Sequence, residues 1–316
     1  MFWKGLLGYL PVNIVQAVVG ILTIVTFTRM LTPVQYGDYA LGFSAMTLAH
    51  TLMFTWMEAA MARFLARETE AWRTPDLFVT LYRCWLGMGL AFPLIAGLAV
   101  WFWPTSPEVK GAMAAGLAAI LTRSLAKMVQ ERRRAAGDVR AAALLDIVQT
   151  AGGFGLGILL IVLGWGGAAP LAGMGMGAAV VIVFALPAEL KRLGGGHFEA
   201  GRARDYLAYG APVAASLVLA IVLSSTDRCV LAAFLDETAV GVYHAGYSLA
   251  NRTLDVMFIW LGMAGGPAMI QALERGGRPA LVASAKEQAE LMIALCLPTT
   301  TGVALVAHPL AEVMVG

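Results

Sequence analysis

YLPVNIVQAVVGILTIVTFTRMLTPVQYGDYALGFSAM, residues Tyr9 to Met46, reads as an apolar helix, a short charged turn and the start of a second apolar helix. A weaker copy follows further along the chain. TPVQYGDYALGFSAM (Thr32 to Met46) aligns without gaps on DETAVGVYHAGYSLA (Asp236 to Ala250), so that Gly37, Tyr39, Gly42 and Ser44 fall on Gly241, Tyr243, Gly246 and Ser248, with Phe43 on Tyr247. Each copy follows an apolar run that opens with a proline, Pro11 and Pro212. The pattern is that of an internal repeat whose unit begins with a helix pair.

The rest of the chain is built of similar stretches. Hydrophobic residues make up 59% and charged ones 13% of 316, and mean hydropathy is +0.75, outside the range of soluble globular domains. A bilayer span takes roughly 20 mainly apolar residues. By that measure the spans run from about Leu10 to Phe27, Tyr39 to Met57, Phe78 to Phe102, Gly111 to Val129, Ala141 to Leu163, Ala168 to Leu190, Tyr206 to Phe234, Val240 to Ala264 and Leu291 to Val315. The fold expected is all-α, a polytopic transmembrane helical bundle of about nine spans. The apolar run at the N-terminus continues to Phe27 without a small-residue cleavage site and reads as a retained span rather than a signal peptide.

Charge placement gives the orientation. Arg63, Arg67 and Arg73, then Arg132, Arg133, Arg134 and Arg140, then Lys191, Arg192, Arg202 and Arg204, then Arg275, Arg278 and Lys286 follow the even-numbered spans, while the other turns carry little positive charge. The rule that cytoplasmic loops are rich in Lys and Arg puts the N-terminus and those turns in the cytoplasm. Repeat copies six spans apart insert in the same sense, so two parallel six-helix halves follow. They are expected at 1–200, a complete bundle, and 201–316, a bundle of which this chain carries the first three helices only. Net charge is +2, and nothing points to nucleic acid.

Polar side chains inside spans are where chemistry would lie, because an ionisable residue at a span centre costs about 2.5 to 3.5 kcal/mol on insertion scales and calls for a partner or a wet cavity. His244, Ser248, Asn251 and Asp255 share one helical face of the eighth span, with Arg252 beside it. Span two carries the matching stripe Ser44, Thr47, Thr51, Thr55 and Glu58, whose first three members are the repeat partners of Ser248, Asn251 and Asp255. Such a stripe serves either helix–helix hydrogen bonding or a central solvated cavity. Span four holds Arg123, a candidate cavity cation, with Asp146 of span five expected as its partner. Asp227 and Arg228 are neighbours in span seven.

Other patterns carry less. The glycines of Gly152 to Gly157 and Gly173 to Gly177 lie inside apolar spans with no preceding strand, and fit close helix packing or a hinge better than a nucleotide loop. Cys84, Cys229 and Cys296 sit apart in apolar runs as packing residues, and the four histidines are scattered, with His50 and His244 alone on their helices. No metal site and no cofactor is expected.

The run Leu10 to Leu41, with Thr28-Arg29-Met30-Leu31-Thr32-Pro33 followed by Tyr36-Gly37-Asp38-Tyr39, resembles the opening of bacterial polysaccharide-export proteins of the Wzx type, in the multidrug/oligosaccharidyl-lipid/polysaccharide exporter superfamily. The resemblance implies two six-helix bundles and translocation of an undecaprenyl-diphosphate-linked glycan by alternating access in the bacterial inner membrane. It implies a lipid-linked oligosaccharide substrate among membrane lipids, with a glycan polymerase and glycosyltransferases as partners, and it implies that cavity cations hold the diphosphate or acidic sugars. In that scheme Arg123, Arg228 and Arg252 bind the anionic part, Asn251, Ser248 and Thr47 bind glycan hydroxyls, and Asp146, Asp227 and Asp255 hold the arginines or titrate for coupling. A cation-coupled multidrug exporter of the same superfamily is the alternative within transport, and predicts an acidic cavity. Outside transport, a glycosyltransferase or polymerase requires a sizeable extramembrane loop, and a non-transporting member of a glycan assembly system requires neither.

Overall fold

A computed structural model describes the backbone of residues 2–309 and 312, and their side chains apart from residues 2–14, 66, 70, 139, 224, 249, 252–271 and 273–276. All regular structure among these residues is helical. The order is α1 Phe2–Met30, α2 Pro33–Met53, α3 Thr55–Glu70, α4 Thr74–Phe102, α5 Pro107–Ala135, α6 Val139–Val162, a 3-10 turn at Gly166–Ala168, α7 Ala169–Lys191, α8 Ala200–Phe234 and α9 Glu237–Leu305. Among the described residues, six segments, within α4, α5, α6, the 3-10 turn with α7, α8 and the end of α9, are long and apolar enough to cross a membrane. The protein is a multi-pass membrane protein.

Helix starts are written locally. At α2 the Thr32 hydroxyl accepts from the Gln35 backbone N–H at 3.3 Å, and the Gln35 side chain accepts from the Thr32 N–H at 3.1 Å, with Pro33 in the first turn. This reciprocal cap satisfies two amides that a helix start otherwise leaves without partners. Ser106 and Asp138 cap α5 and α6 by the same chemistry.

The chain forms two compact units, 1–19 with 30–242, and 20–29 with 243–316. In the first, α5 packs against α2, α3, α4, α6 and α7, and α8 packs on α2, α3 and α4. Outer helices are apolar all round because they face lipid on one side and protein on the other. On α4, Leu86, Leu90, Leu94 and Leu98 point outward while Leu77, Leu81, Phe92 and Ala96 are buried. The α6–α7 seam is a glycine contact. A Cβ on Gly173 would stand 2.4 Å from the Gly157 nitrogen, and one on Gly177 would stand 2.6 Å from the Gly153 nitrogen. Close packing is therefore the role of both glycine runs.

In the second unit the Tyr243 and Tyr247 rings stack at 5.8 Å, and Ser248 Oγ lies 3.5 Å from His244 Nδ1. Gly277, at φ 62°, interrupts α9, and the apolar helix beyond it runs from Gly277 to Leu305. The last span thus begins earlier than the hydropathy of Leu291 to Val315 indicates, since Lys286 and Glu290 lie within the helix, 3.9 Å apart.

The second expected span, Tyr39 to Met57, is divided. Phe54, with φ −117° and ψ −24°, separates α2 from α3. Its ring is fully buried, 6.3 Å from His50 and edge-on to Phe92 at 5.8 Å.

Within the first unit the charge asymmetry of the loops becomes two chemically distinct ends. At one end the turn before α8 docks on the start of α4, where the His197 N–H donates to Asp76 Oδ1 at 2.8 Å and the Glu199 N–H to Thr80 Oγ1 at 3.3 Å. Two ion pairs join helices there, Arg132 Nε to Glu189 Oε2 at 2.7 Å and Arg202 Nη1 to Glu68 Oε2 at 2.8 Å. At the other end Val109, Val240, Ala40 and Leu41 form a small core. Gly37 and Gly241 meet above it, and a Cβ on Gly37 would fall 1.9 Å from the Glu237 carbonyl oxygen.

Candidate functional site

The polar stripe of the second sequence span survives its division. Ser44 and Thr47 are half-buried on α2, Thr51 is buried, and Thr55 and Glu58 continue the face on α3. The Ser44 hydroxyl donates to the Ala40 carbonyl at 2.9 Å and that of Thr47 to the Phe43 carbonyl at 2.8 Å. Both donors are used within their own helix, so each hydroxyl offers lone pairs outward.

Below them the bend at Phe54 brings His50 Nε2 to 2.8 Å from Glu58 Oε1. His50 is therefore not alone, as its isolated position in the sequence implies. Arg123 of α5 faces the same region, with Tyr39 and Glu58 within Coulombic reach. It is half-buried, and among the described residues no carboxylate lies within 4.0 Å of it. A guanidinium with five donors thus stands without an ion-pair partner among the described residues.

Asp146 is not its partner. It is buried and forms a short ion pair with Arg134 Nη2, while Arg134 Nη1 reaches Glu131 at 2.5 Å. Arg134 lies closer to the end of α5, where the start of α6 comes alongside. The residues that span four and span five do bring together at depth are neutral, Gln130 Nε2 donating to Gln149 Oε1 at 2.8 Å.

Arg228 is buried on α8, 3.9 Å from Asp227 Oδ1, and the same oxygen accepts the Arg228 backbone N–H at 2.7 Å. Tyr36 of α2 is within its Coulombic reach. Of the eighth-span stripe, Ser248 is half-buried beside His244, and Asn251 is exposed. Arg252 and Asp255 lie outside the residues whose side chains are described. Among the described residues there is no group of three or more His, Cys, Asp or Glu able to hold a metal. Cys84 and Cys296 are half-buried, whereas Cys229 is exposed rather than packed.

The three-dimensional pairs His50–Glu58, Arg132–Glu189 and Glu68–Arg202 have no counterpart in the linear pattern of the chain. Glu58 shows there only as the end of the polar stripe. Glu68 and Glu189, acidic residues beside arginine-rich turns, are the signal the sequence holds for the other two.

The family model for polysaccharide biosynthesis protein matches residues 2–272. No curated protein matches the chain. Among solved structures, one described as a MATE in complex with MaD3S is similar with a TM-score of 0.64 and 16% identity, covering 96% of this chain and 72% of that one. The structure of the MATE multidrug transporter DinF-BH is similar with a TM-score of 0.60 and 14% identity, covering 100% of this chain and 74% of that one. At these identities the likeness is one of fold. The family match over most of the chain, together with the helical topology, leads to one assignment. The chain belongs to the polysaccharide biosynthesis protein family and has a MATE-like fold.

Proposed function

We propose that this protein exports a lipid-linked oligosaccharide, an undecaprenyl-diphosphate glycan, across the bacterial inner membrane by alternating access between halves at 1–200 and 201–316, with its N-terminus in the cytoplasm. The observation that carries the reading is Arg123, a guanidinium with no carboxylate within 4.0 Å among the described residues, within a family tied to polysaccharide biosynthesis. An uncompensated cation in a membrane bundle is costly, and a phosphate or acidic sugar is its natural counterpart. Arg228 and Arg252 act with it on the anionic part of the substrate. Thr47, Ser248 and Asn251 meet glycan hydroxyls. Asp227 and Asp255 hold arginines or titrate, and Asp146 fixes Arg134. Glycosyltransferases and a glycan polymerase act before and after it.

A drug-exporter reading calls for an acidic cavity free to receive an organic cation. Glu58, the carboxylate within Coulombic reach of Arg123, is instead engaged by His50. The test is export of surface polysaccharide by Arg123→Ala and Arg228→Ala strains with membrane levels matched to wild type. Loss of a charge-assisted contact lowers export about tenfold or more. Arg123→Lys retains charge without the planar fork and gives an intermediate value. Normal polysaccharide in both alanine strains overturns the reading.

A further inference from the structure

At the arginine-rich end of the first unit, α3, the α3–α4 turn and α8 line a cavity of about 200 Å³. Its wall is built from Arg67 and Glu68 of α3, Arg73 before α4, and Arg202 and Asp205 of α8. Phe64 and Tyr206 form an aromatic floor with centroids 4.9 Å apart. Arg202 is committed, since Nη1 lies 2.8 Å from Glu68 and Nε 2.7 Å from Glu199. Arg67 and Arg73 are not. Among the described residues neither has a carboxylate within 4.0 Å, so two guanidinium groups flank the opening with their hydrogen-bonding faces available.

The turn between them is unusual. Trp72 has φ 57°, which a bulky residue rarely adopts, and its indole is 93% exposed. Exposed tryptophan is the side chain that settles at the headgroup level of a bilayer.

We propose that this cavity binds the phosphate of a lipid headgroup in the leaflet at the arginine-rich end, gripped by Arg67 and Arg73 with Trp72 seated in the interface beside it. The ligand's class follows from three matches. Two guanidinium groups with no carboxylate within 4.0 Å among the described residues suit a phosphomonoester or diphosphate, and a phosphomonoester carries about −1.5 to −2 charge at pH 7. A volume of about 200 Å³ is below the roughly 300 to 1,000 Å³ of pockets that enclose a whole small molecule, so it takes a headgroup and leaves the chains outside. Asp205 on the wall disfavours a deeper anion. The proposal rests on the protein being membrane-embedded and holds whatever the substrate exported.

Native mass spectrometry of the full chain tests it, with phosphatidic acid and phosphatidylcholine as probes and inorganic phosphate as competitor. Phosphatidic acid is expected to bind about tenfold more tightly than phosphatidylcholine, and Arg67→Ala with Arg73→Ala together to abolish that preference. Asp205→Asn is expected to tighten phosphatidic acid binding several-fold, an independent readout should the double variant not fold. Equal binding of the two lipids, an unchanged preference in the double variant, or no effect of Asp205→Asn overturns the proposal. Displacement of the lipid by inorganic phosphate at a comparable concentration also overturns it, making the site one for free anions. Loss of export in Arg123 variants leaves this result untouched, so the two readings fail separately.

Discussion

His50 Nε2 and Glu58 Oε1 are 2.8 Å apart although eight residues separate them. On an unbroken helix eight residues rise about 12 Å, so the contact exists only because the chain turns at Phe54. The pair fastens the bend from its inner side, and the buried Phe54 ring fills it.

Removing either partner leaves the other in a poorly hydrated site. His50→Ala and Glu58→Ala are each expected to cost about 1–3 kcal/mol in thermal unfolding of the purified protein. The double variant is expected to cost less than the two together, because they share one interaction. Additive losses would show that the contact does not fasten the bend.

Arg132 and Glu189 form a buried ion pair between α5 and α7. Arg132→Met alone is expected to destabilise by about 3–5 kcal/mol, since it strands a buried carboxylate. Arg132→Met combined with Glu189→Leu is expected to recover most of that loss, measured by unfolding in detergent.

Gly37 and Gly241 bring the starts of α2 and α9 into contact, and a Cβ on Gly241 would lie 2.2 Å from the Pro33 carbonyl oxygen. Gly37→Ala and Gly241→Ala are expected to destabilise by about 1–3 kcal/mol through overpacking. Gly246→Ala is the control, since among the described residues nothing lies within 4 Å of its added methyl, and it is expected to be neutral or slightly stabilising.

Asp38 is 2% exposed, and its Oδ1 has no hydrogen-bond partner among the described residues. Glu237 and Glu108 add like charge nearby. Asp38→Asn is expected to raise stability by about 1 kcal/mol, because it removes an uncompensated buried charge. A fall in melting temperature would show that the carboxylate has a partner that matters.

Much of this arrangement is legible in the residues. Apolar runs of span length give α4 to α8, and loop arginines mark the end at which Arg132, Arg202 and the Trp72 turn gather. The glycines of α6 and α7 announce their seam. The site is less legible. The division at Phe54 carries no Pro or Gly to signal it, so His50 and Glu58 read as distant residues. Asp146 and Arg123 stand at similar depth on adjacent spans, but depth does not fix helix rotation, and Asp146 faces Arg134. Pairs such as Glu68 with Arg202 join positions far apart in the chain, which periodicity within one helix cannot match.

Gly37 and Gly241 are counterparts in the sequence repeat, and they touch one another. Each stands against the backbone of the other's helix start, Gly37 against Glu237 and Gly241 against Pro33. Both positions already carry the smallest side chain, so neither can shrink to make room for growth at the other. Two positions more than two hundred residues apart in the chain thus share one constraint, and a side chain gained at either has to be accommodated by the backbone at the other.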